Sequence, residues 1–215
     1  MGIVSGAITA ARFRVVGDRP KSWREVYRDR LNEHAFRVPP QGQGKEQIEG
    51  WVQVHNLLDT SFDVHDRWLY ENVVWFALRV DTKRLPRKLF KATLDKKVEA
   101  WCAERGVSRA PASVRKELQD QLEQQWLDRT LPTVQVTEAA WNLDAGWLLL
   151  HSLSDGVADR FRKRFFRTFG AKLLPWSPLD WLDEPALVSG LLARAPAPAF
   201  GHSDVRLVSP ERELR

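Results

Sequence analysis

Histidine and cysteine side chains could supply a metal or catalytic site, but their spacing in this sequence favours neither. The five histidines show no H-x-x-x-H or H-E-x-x-H spacing, and they are His34, His55, His65, His151 and His202. The single cysteine, Cys102, follows Trp101 in a predicted helix, where a small buried apolar residue is the simpler interpretation. P-loop, GxGxxG and GxSxG motifs are absent from the sequence. We therefore predict no metal site and no cofactor.

Three carboxylates in the stretch LDTSFDVHD are the best local candidates for metal-dependent chemistry. Asp59, Asp63 and Asp66 could converge on Mg²⁺, as a nuclease requires. A polar loop explains the same residues more simply, because Asp and Ser favour turns. A divalent-metal nuclease is therefore a distant hypothesis, and we expect a protein that is not an enzyme.

The cations of the segment DGVADRFRKRFFRTFG (155–170) form a stronger pattern. At about 100° per residue, Val157, Phe161, Phe165 and Phe169 fall within an arc of about 120° that should face the core. The basic side chains predicted to share the opposite side are Arg160, Lys163, Arg164 and Arg167. Arg162 lies toward the apolar flank, where its long stem can reach past the core. Like charges on one helix face repel one another, so the pattern indicates an anionic partner.

A second basic stretch, RVDTKRLPRKLFKATLDKKVEAW (79–101), contains eight Lys or Arg and three acids. Cations near the start of a helix oppose the helix dipole, so their presence indicates another benefit, such as phosphate binding. A solvated hinge whose cations pair with Asp81 and Asp95 is the alternative. The candidate DNA-binding residues here are Arg79, Lys83, Arg84, Arg87, Lys88, Lys91 and Lys97.

The first half of the chain is predicted to alternate strands and a helix. Residues 7–16 indicate a strand, and residues 23–35 a helix with a capping box formed by Ser22 and Glu25. Residues 38–50 predict a loop from their Pro and Gly content, and the following aromatic and β-branched runs predict strands at 51–58 and 70–80.

The second half predicts a long helical hairpin and then more sheet. Residues 86–129 should form two helices, the first stopped by Gly106 and the second opened by Pro111. The later predicted elements are strands at 133–143 and 147–153, a helix at 155–169 stopped by Gly170, a short strand in KLLPWSP and a last helical segment in SPLDWLDEPALVSGLLAR. We predict an α+β fold with two sheet-forming halves (β-α-β-β and β-β-α-β) around a long helical hairpin. Residues 1–195 should form one domain, and residues 196–215 a flexible tail.

Composition narrows the class of partner. A net charge of +5 and a pI near 9.6 favour nucleic acid. One cysteine fits a reducing compartment, and neither a signal peptide nor an apolar run of membrane-spanning length is present in the sequence. We expect a cytoplasmic, nucleoid-associated protein that does not engage a membrane.

Several stretches, in order and spacing, resemble the RdgC family of recombination-associated proteins across residues 7 to about 182. They are HAFR, EGWVQ, ALRVDTKRLPRKLFKATLDKKV, SVRKELQDQLEQQWLDRTLP and WNLDAGWLLLHSLSDGVADRFRKRFFRTFGAKLLPWSP. The resemblance implies an α+β fold, a dimer that closes into a ring, sequence-independent binding of double-stranded DNA, and restraint of RecA-type recombinases. The chain is shorter than typical members, so we expect that the C-terminal part that helps to build their ring is missing.

The sequence therefore predicts a protein that binds double-stranded DNA through its phosphates, with no sequence preference, and limits recombinase access during recombination or replication. We expect a homodimer. The alternative is a protein-interaction module whose basic faces bind acidic partners or its own second subunit.

Overall fold

The computed structural model describes residues 3, 8–40, 43–176, 182 and 185–194, and the chain divides into two compact units, residues 1–174 and 175–215. Five helices and seven strands within this described part confirm the α+β class. The strands are β1 (Ala11–Val16), β2 (Gln47–Val52), β3 (Leu69–Tyr70), β4 (Val73–Thr82), β5 (Thr133–Asn142), β6 (Trp147–Leu150) and β7 (Lys172–Pro175). The helices are α1 (Trp23–Glu33), α2 (Arg87–Arg105), α3 (Ala112–Arg129), α4 (Asp155–Phe169) and α5 (Pro185–Leu192), and a 3₁₀ turn spans His65–Arg67.

The seven described strands form one sheet in the order β2-β4-β5-β6-β1-β7, with β3 paired to the start of β4. The pairs β2/β4, β4/β5, β5/β6 and β6/β1 are antiparallel. The two predicted sheet-forming halves therefore share a single sheet. Helices α2 and α3 are inserted between β4 and β5, where Thr82 pairs with Thr133, so both ends of the hairpin leave from neighbouring strands.

An aromatic core lies between one face of the sheet and helices α1 and α4. Strand β4 alternates, as strands do, and places Phe76 on this face. Its ring centroid lies 5.9 Å from that of Phe161 and 6.3 Å from that of Phe165. Trp141 of β5 approaches Phe165 edge-on at 5.1 Å. Each buried aromatic side chain removes roughly 150–250 Å² from water, so this cluster supplies much of the stabilisation of the sheet-helix layer.

The predicted helix boundaries in the second half are confirmed. Gly106 and Gly170 follow α2 and α4 with φ of 62° and 71°, left-handed values that glycine adopts without steric cost. Helix α3 begins directly after Pro111. The short strand β7 and helix α5 lie within the stretches predicted for them, whereas the predicted tail, residues 196–215, lies outside the described residues.

The predicted capping box at the start of α1 is wrong. Ser22 makes no side-chain cap hydrogen bond, because its φ of −93° and ψ of 43° differ from the extended backbone that an N-cap residue usually adopts. The backbone closes the first turn instead, with Val26 N donating to Ser22 O at 3.1 Å.

Several strand boundaries differ from the predictions, and the strand predicted at 147–153 ends at Leu150. The strand predicted at 51–58 runs from Gln47 to Val52, so the predicted loop 38–50 contains its first four residues. The chain bends at residues 54 and 55, and the Asn56 side chain then accepts from Leu58 N in a local turn. The strand predicted at 70–80 is split by Glu71, whose φ is 53°, into β3 and β4. The first strand begins at Ala11, four residues after its predicted start.

Phe165→Ala should lower the free energy of unfolding by about 3–5 kcal/mol, because it removes a fully buried ring from the core. Phe166→Ala is the matched control, since that ring is 49% exposed and its loss should change stability by less than about 0.5 kcal/mol. Urea unfolding of both variants measures the difference. Equal losses would contradict the assigned rotation of α4.

Candidate nucleic-acid interface

Helix α4 presents cations on the side opposite its three buried phenylalanines, as the sequence predicts. Arg160, Lys163 and Arg167 fall within an arc of about 60°, and we call these three residues the α4 basic face. Lys163 and Arg167 are exposed, and Arg160 is half-buried. None of the three forms an ion pair with another residue that the structure describes. Their charge is therefore available to an external anion.

Arg164, the fourth predicted cation of this helix, is turned inward. Its Nη2 donates to His34 O at 3.0 Å, and its Nη1 lies 3.8 Å from Glu49 Oε1. Only 16% of its side chain is exposed. Burial lowers the pKa of the Arg164 guanidinium, and Glu49 acts in the opposite direction. The structure thus places Arg164 as a link from α4 to the end of α1 and to β2, beside the α4 basic face.

Arg162 links the other flank of α4 to strand β7. Its Nε donates to Leu173 O of β7 at 3.0 Å, and its Nη1 lies 3.4 Å from Asp159 Oδ1. This position agrees with the prediction that Arg162 lies toward the apolar flank. Because Asp159 contacts Arg162, it does not neutralise the α4 basic face.

Arg79 is buried on the sheet face opposite α4. Its guanidinium donates two hydrogen bonds to Asp81, at 2.8 and 2.7 Å, and a third to Leu57 O at 3.1 Å. It also lies 4.2 Å from the ring centroid of Phe36. With 9% of the residue exposed, Arg79 has its donors committed inside the protein.

Lys83 joins the sheet to the base of the helical hairpin. Its Nζ donates to Leu127 O in the last turn of α3, where backbone carbonyls lack helical partners. Its backbone N donates to Glu46 O at 2.7 Å. The structure therefore places Lys83 at the junction of three segments, with its ammonium directed into the protein.

Four cations at the start of the hairpin are exposed. We call them the hairpin-base cations, and they are Arg84, Arg87, Lys88 and Lys91. None forms an ion pair within the described ranges, because the nearby acids are engaged elsewhere. Asp81 binds Arg79, and Asp95 binds Arg115 of α3 at 2.7 Å.

Helix geometry separates Lys97 from the hairpin-base cations. Arg87, Lys88 and Lys91 fall within an arc of about 100°, whereas Lys97 lies about 180° from Lys88. Helix α2 is fixed by contacts with α3, including the edge-on pair of Phe90 and Trp126 at 5.5 Å. Lys97 is exposed but cannot share one flat contact surface with Lys88.

The acidic loop after β2 forms a hydrogen-bond network that also includes Asn32 of α1. Asp59 accepts from Arg67 at 3.0 Å and from Ser61 N at 3.1 Å, and Asp63 accepts from Ser61 Oγ at 2.8 Å and from Asn32 at 2.9 Å. Asp66 is exposed beyond them. Within the described ranges, no three His, Cys, Asp or Glu side chains are grouped closely enough to hold a metal ion.

One exposed aromatic residue was missed by the sequence analysis. Phe166 is 49% exposed on α4, although the other three phenylalanines of this helix are buried. Helix periodicity could have predicted this exposure, because Phe166 lies about 60° outside the apolar arc that ends at Phe169.

A family model described as "Putative exonuclease, RdgC" matches residues 13–199, a span that contains both basic regions and the helical hairpin. The chain belongs to the RdgC family. The resemblance predicted from the sequence is thereby confirmed. No curated protein matches the sequence. No helix in the described part of this RdgC chain has the length and apolar character needed to cross a membrane.

Arg79→Ala should destabilise this RdgC chain by about 3–5 kcal/mol, because it leaves the Asp81 carboxylate buried without its partner. Arg84→Ala removes an exposed cation from the same stretch and should cost less than about 0.5 kcal/mol. Urea unfolding compares the two variants. A loss for Arg79→Ala no larger than that for Arg84→Ala would show that the ion pair does not stabilise the fold.

Proposed function

We propose that this RdgC-family protein binds double-stranded DNA through the phosphate backbone, without sequence preference, and acts in DNA recombination or replication. By covering duplex DNA it would limit the access of RecA-type recombinases. The observation that carries the proposal is the α4 basic face, whose cations lie on one side of a helix fixed by the aromatic core. They have no ion-pair partner among the described residues.

Electrostatics within α4 support an external anion. Lys163 and Arg167 stand four residues apart, so their charges repel by a few tenths of a kcal/mol in the free protein. The one acid near them in the helix, Asp159, contacts Arg162. Phosphates along a DNA strand would relieve this repulsion and release condensed counterions. Contacts of Lys and Arg with phosphate carry no base information, so the binding would not depend on sequence.

The hairpin-base cations support a second contact region. They belong to the same compact unit, residues 1–174, as the α4 basic face. They also stand at the start of α2, where the helix dipole disfavours positive charge. A polyanion bound there would offset that cost. The proposed contact residues are Arg84, Arg87, Lys88, Lys91, Arg160, Lys163 and Arg167, whereas Arg79, Lys83 and Arg164 support the fold around them. Lys97 would contact DNA only from the opposite side of α2.

A dimer is part of the proposal, because two copies would double the number of phosphates held at once. Sedimentation or light scattering on free and DNA-bound protein measures the mass. The competing function is a module for acidic protein partners, and binding to polyglutamate as tightly as to duplex would favour it.

Exonuclease activity is the second candidate function, because the description of the matching family model names it. The carboxylates available to it are Asp59, Asp63 and Asp66, two of which are tied into the loop network. End-labelled duplex incubated with Mg²⁺ or Mn²⁺ tests it. Progressive shortening of the strand that Asp59→Asn abolishes would establish the activity.

Lys163→Glu/Arg167→Glu should weaken duplex binding at least about ten-fold at low salt and make the salt dependence shallower. Each lost phosphate contact removes about 0.9 from the slope of log K against log salt, so the expected change is about 1.8. Fluorescence anisotropy on duplexes of unrelated sequence, across a salt series, measures both quantities.

The matched control is Arg14→Glu/Lys21→Glu, which changes net charge equally at two exposed cations away from both basic regions. This control variant should keep nearly the wild-type slope of log K against log salt. Equal weakening by both double variants would show that net charge, and not the α4 basic face, governs binding. Circular dichroism confirms that both variants remain folded.

A further inference from the structure

Phe166 is an exposed aromatic ring next to the α4 basic face. It lies about 60° around the helix from Lys163 and about 100° from Arg167. Among the described residues, Tyr70 and Phe166 are the aromatic side chains classed as exposed, and Tyr70 belongs to the short strand β3. Phe166 is thus the exposed ring that stands beside cations proposed to bind phosphate.

The surroundings leave the ring of Phe166 open. The residue four positions later is Gly170, which has no side chain, and a Cβ placed there would meet nothing within 4 Å. On the preceding turn, Arg162 is held by Leu173 O and by Asp159, so its guanidinium is directed away toward β7. Lys163, also on that turn, is exposed. A flat group could therefore approach the ring while its own charge meets Lys163.

Single exposed apolar residues are common on protein surfaces, so exposure alone carries little information. An exposed ring beside the cations of the α4 basic face is more informative. Proteins that hold single-stranded nucleic acid place aromatic rings, on which bases stack, beside cations that follow the backbone. In a duplex the bases already stack on one another, so a lone surface ring gains little from them. The arrangement in α4 fits an unpaired base better than a paired one.

We infer that Phe166 stacks on an unpaired base of single-stranded DNA, while Lys163 and Arg167 hold the adjacent phosphates. This inference rests on the proposed function, because it uses the same basic face. It extends the substrate from duplex alone to DNA that contains unpaired bases, as the strands exchanged in recombination do. Phe166 is then the residue that separates single-strand binding from duplex binding.

The test compares wild type, Phe166→Ala and Phe166→Trp on a fluorescent oligothymidylate and on a duplex of the same length. Phe166→Ala should weaken oligothymidylate binding about ten-fold while duplex affinity stays within about two-fold. Phe166→Trp, which keeps an aromatic face at this position, should bind the oligothymidylate with about the wild-type affinity. Tyr70→Ala, the matched exposed aromatic in β3, should change neither. Photocrosslinking to an oligonucleotide that carries 5-iodouracil should label Phe166 in the wild type.

Unchanged oligothymidylate affinity in Phe166→Ala, or an equal loss of affinity on both substrates, would overturn the inference. So would a lower oligomeric mass of Phe166→Ala than of wild type in light scattering, which would mean that the ring binds a second copy of the protein. The proposed function fails separately. If Lys163→Glu/Arg167→Glu keeps wild-type duplex affinity, the basic face is not a phosphate site whatever Phe166 does. If that variant loses duplex binding while Phe166→Ala keeps single-strand binding, only the stacking inference is wrong.

Discussion

The packing of α4 on the sheet is the interaction on which the remaining features depend. Its three buried phenylalanines interlock with Phe76, Trp51 and Trp141, and this contact sets the rotation of the helix about its axis. Two polar contacts fix its end: Trp51 Nε1 donates to Thr168 Oγ1 at 2.8 Å, and Arg30 donates to Phe169 O at 2.7 Å. Because the apolar arc faces inward, the cations on the other side must face water. The basic surface follows from the core.

Helix periodicity predicted this surface well and misjudged its edge. Arg162 and Arg164 each lie about 20° outside the apolar arc, one on either flank, beside Phe169 and Val157 respectively. Both are held by protein groups, Leu173 O on one side and His34 O on the other. The sequence analysis recognised Arg162 as a flanking residue but placed Arg164 with the exposed cations. Its acceptor stands 130 residues away in the chain, and no local pattern reports such a contact.

Long-range packing also explains the other differences. A cation near the end of a predicted strand suggests exposure, yet Phe36 and Leu57 O cover Arg79 from segments far along the chain. Glycine content suggested a loop at Gly50, whereas the residue lies in β2, where the backbone of Phe36 passes too close to leave room for a Cβ. By contrast, helix stops at Gly106 and Gly170 arise from local backbone geometry, and the sequence predicted them correctly.

Strand β4 couples the two basic regions. One of its faces packs on α4 through Phe76, and its last residue, Thr82, leads through Lys83 into α2. A slip of one residue in its pairing would exchange its faces, bringing the buried Arg79–Asp81 pair against the aromatic core. That pair therefore opposes misregistration, since both charges would enter an apolar layer and Arg79 would lose its hydrogen bond to Leu57 O. The register that keeps Arg79 away from α4 also places the α4 basic face and the hairpin-base cations, so a buried residue outside both groups of cations would determine where they stand.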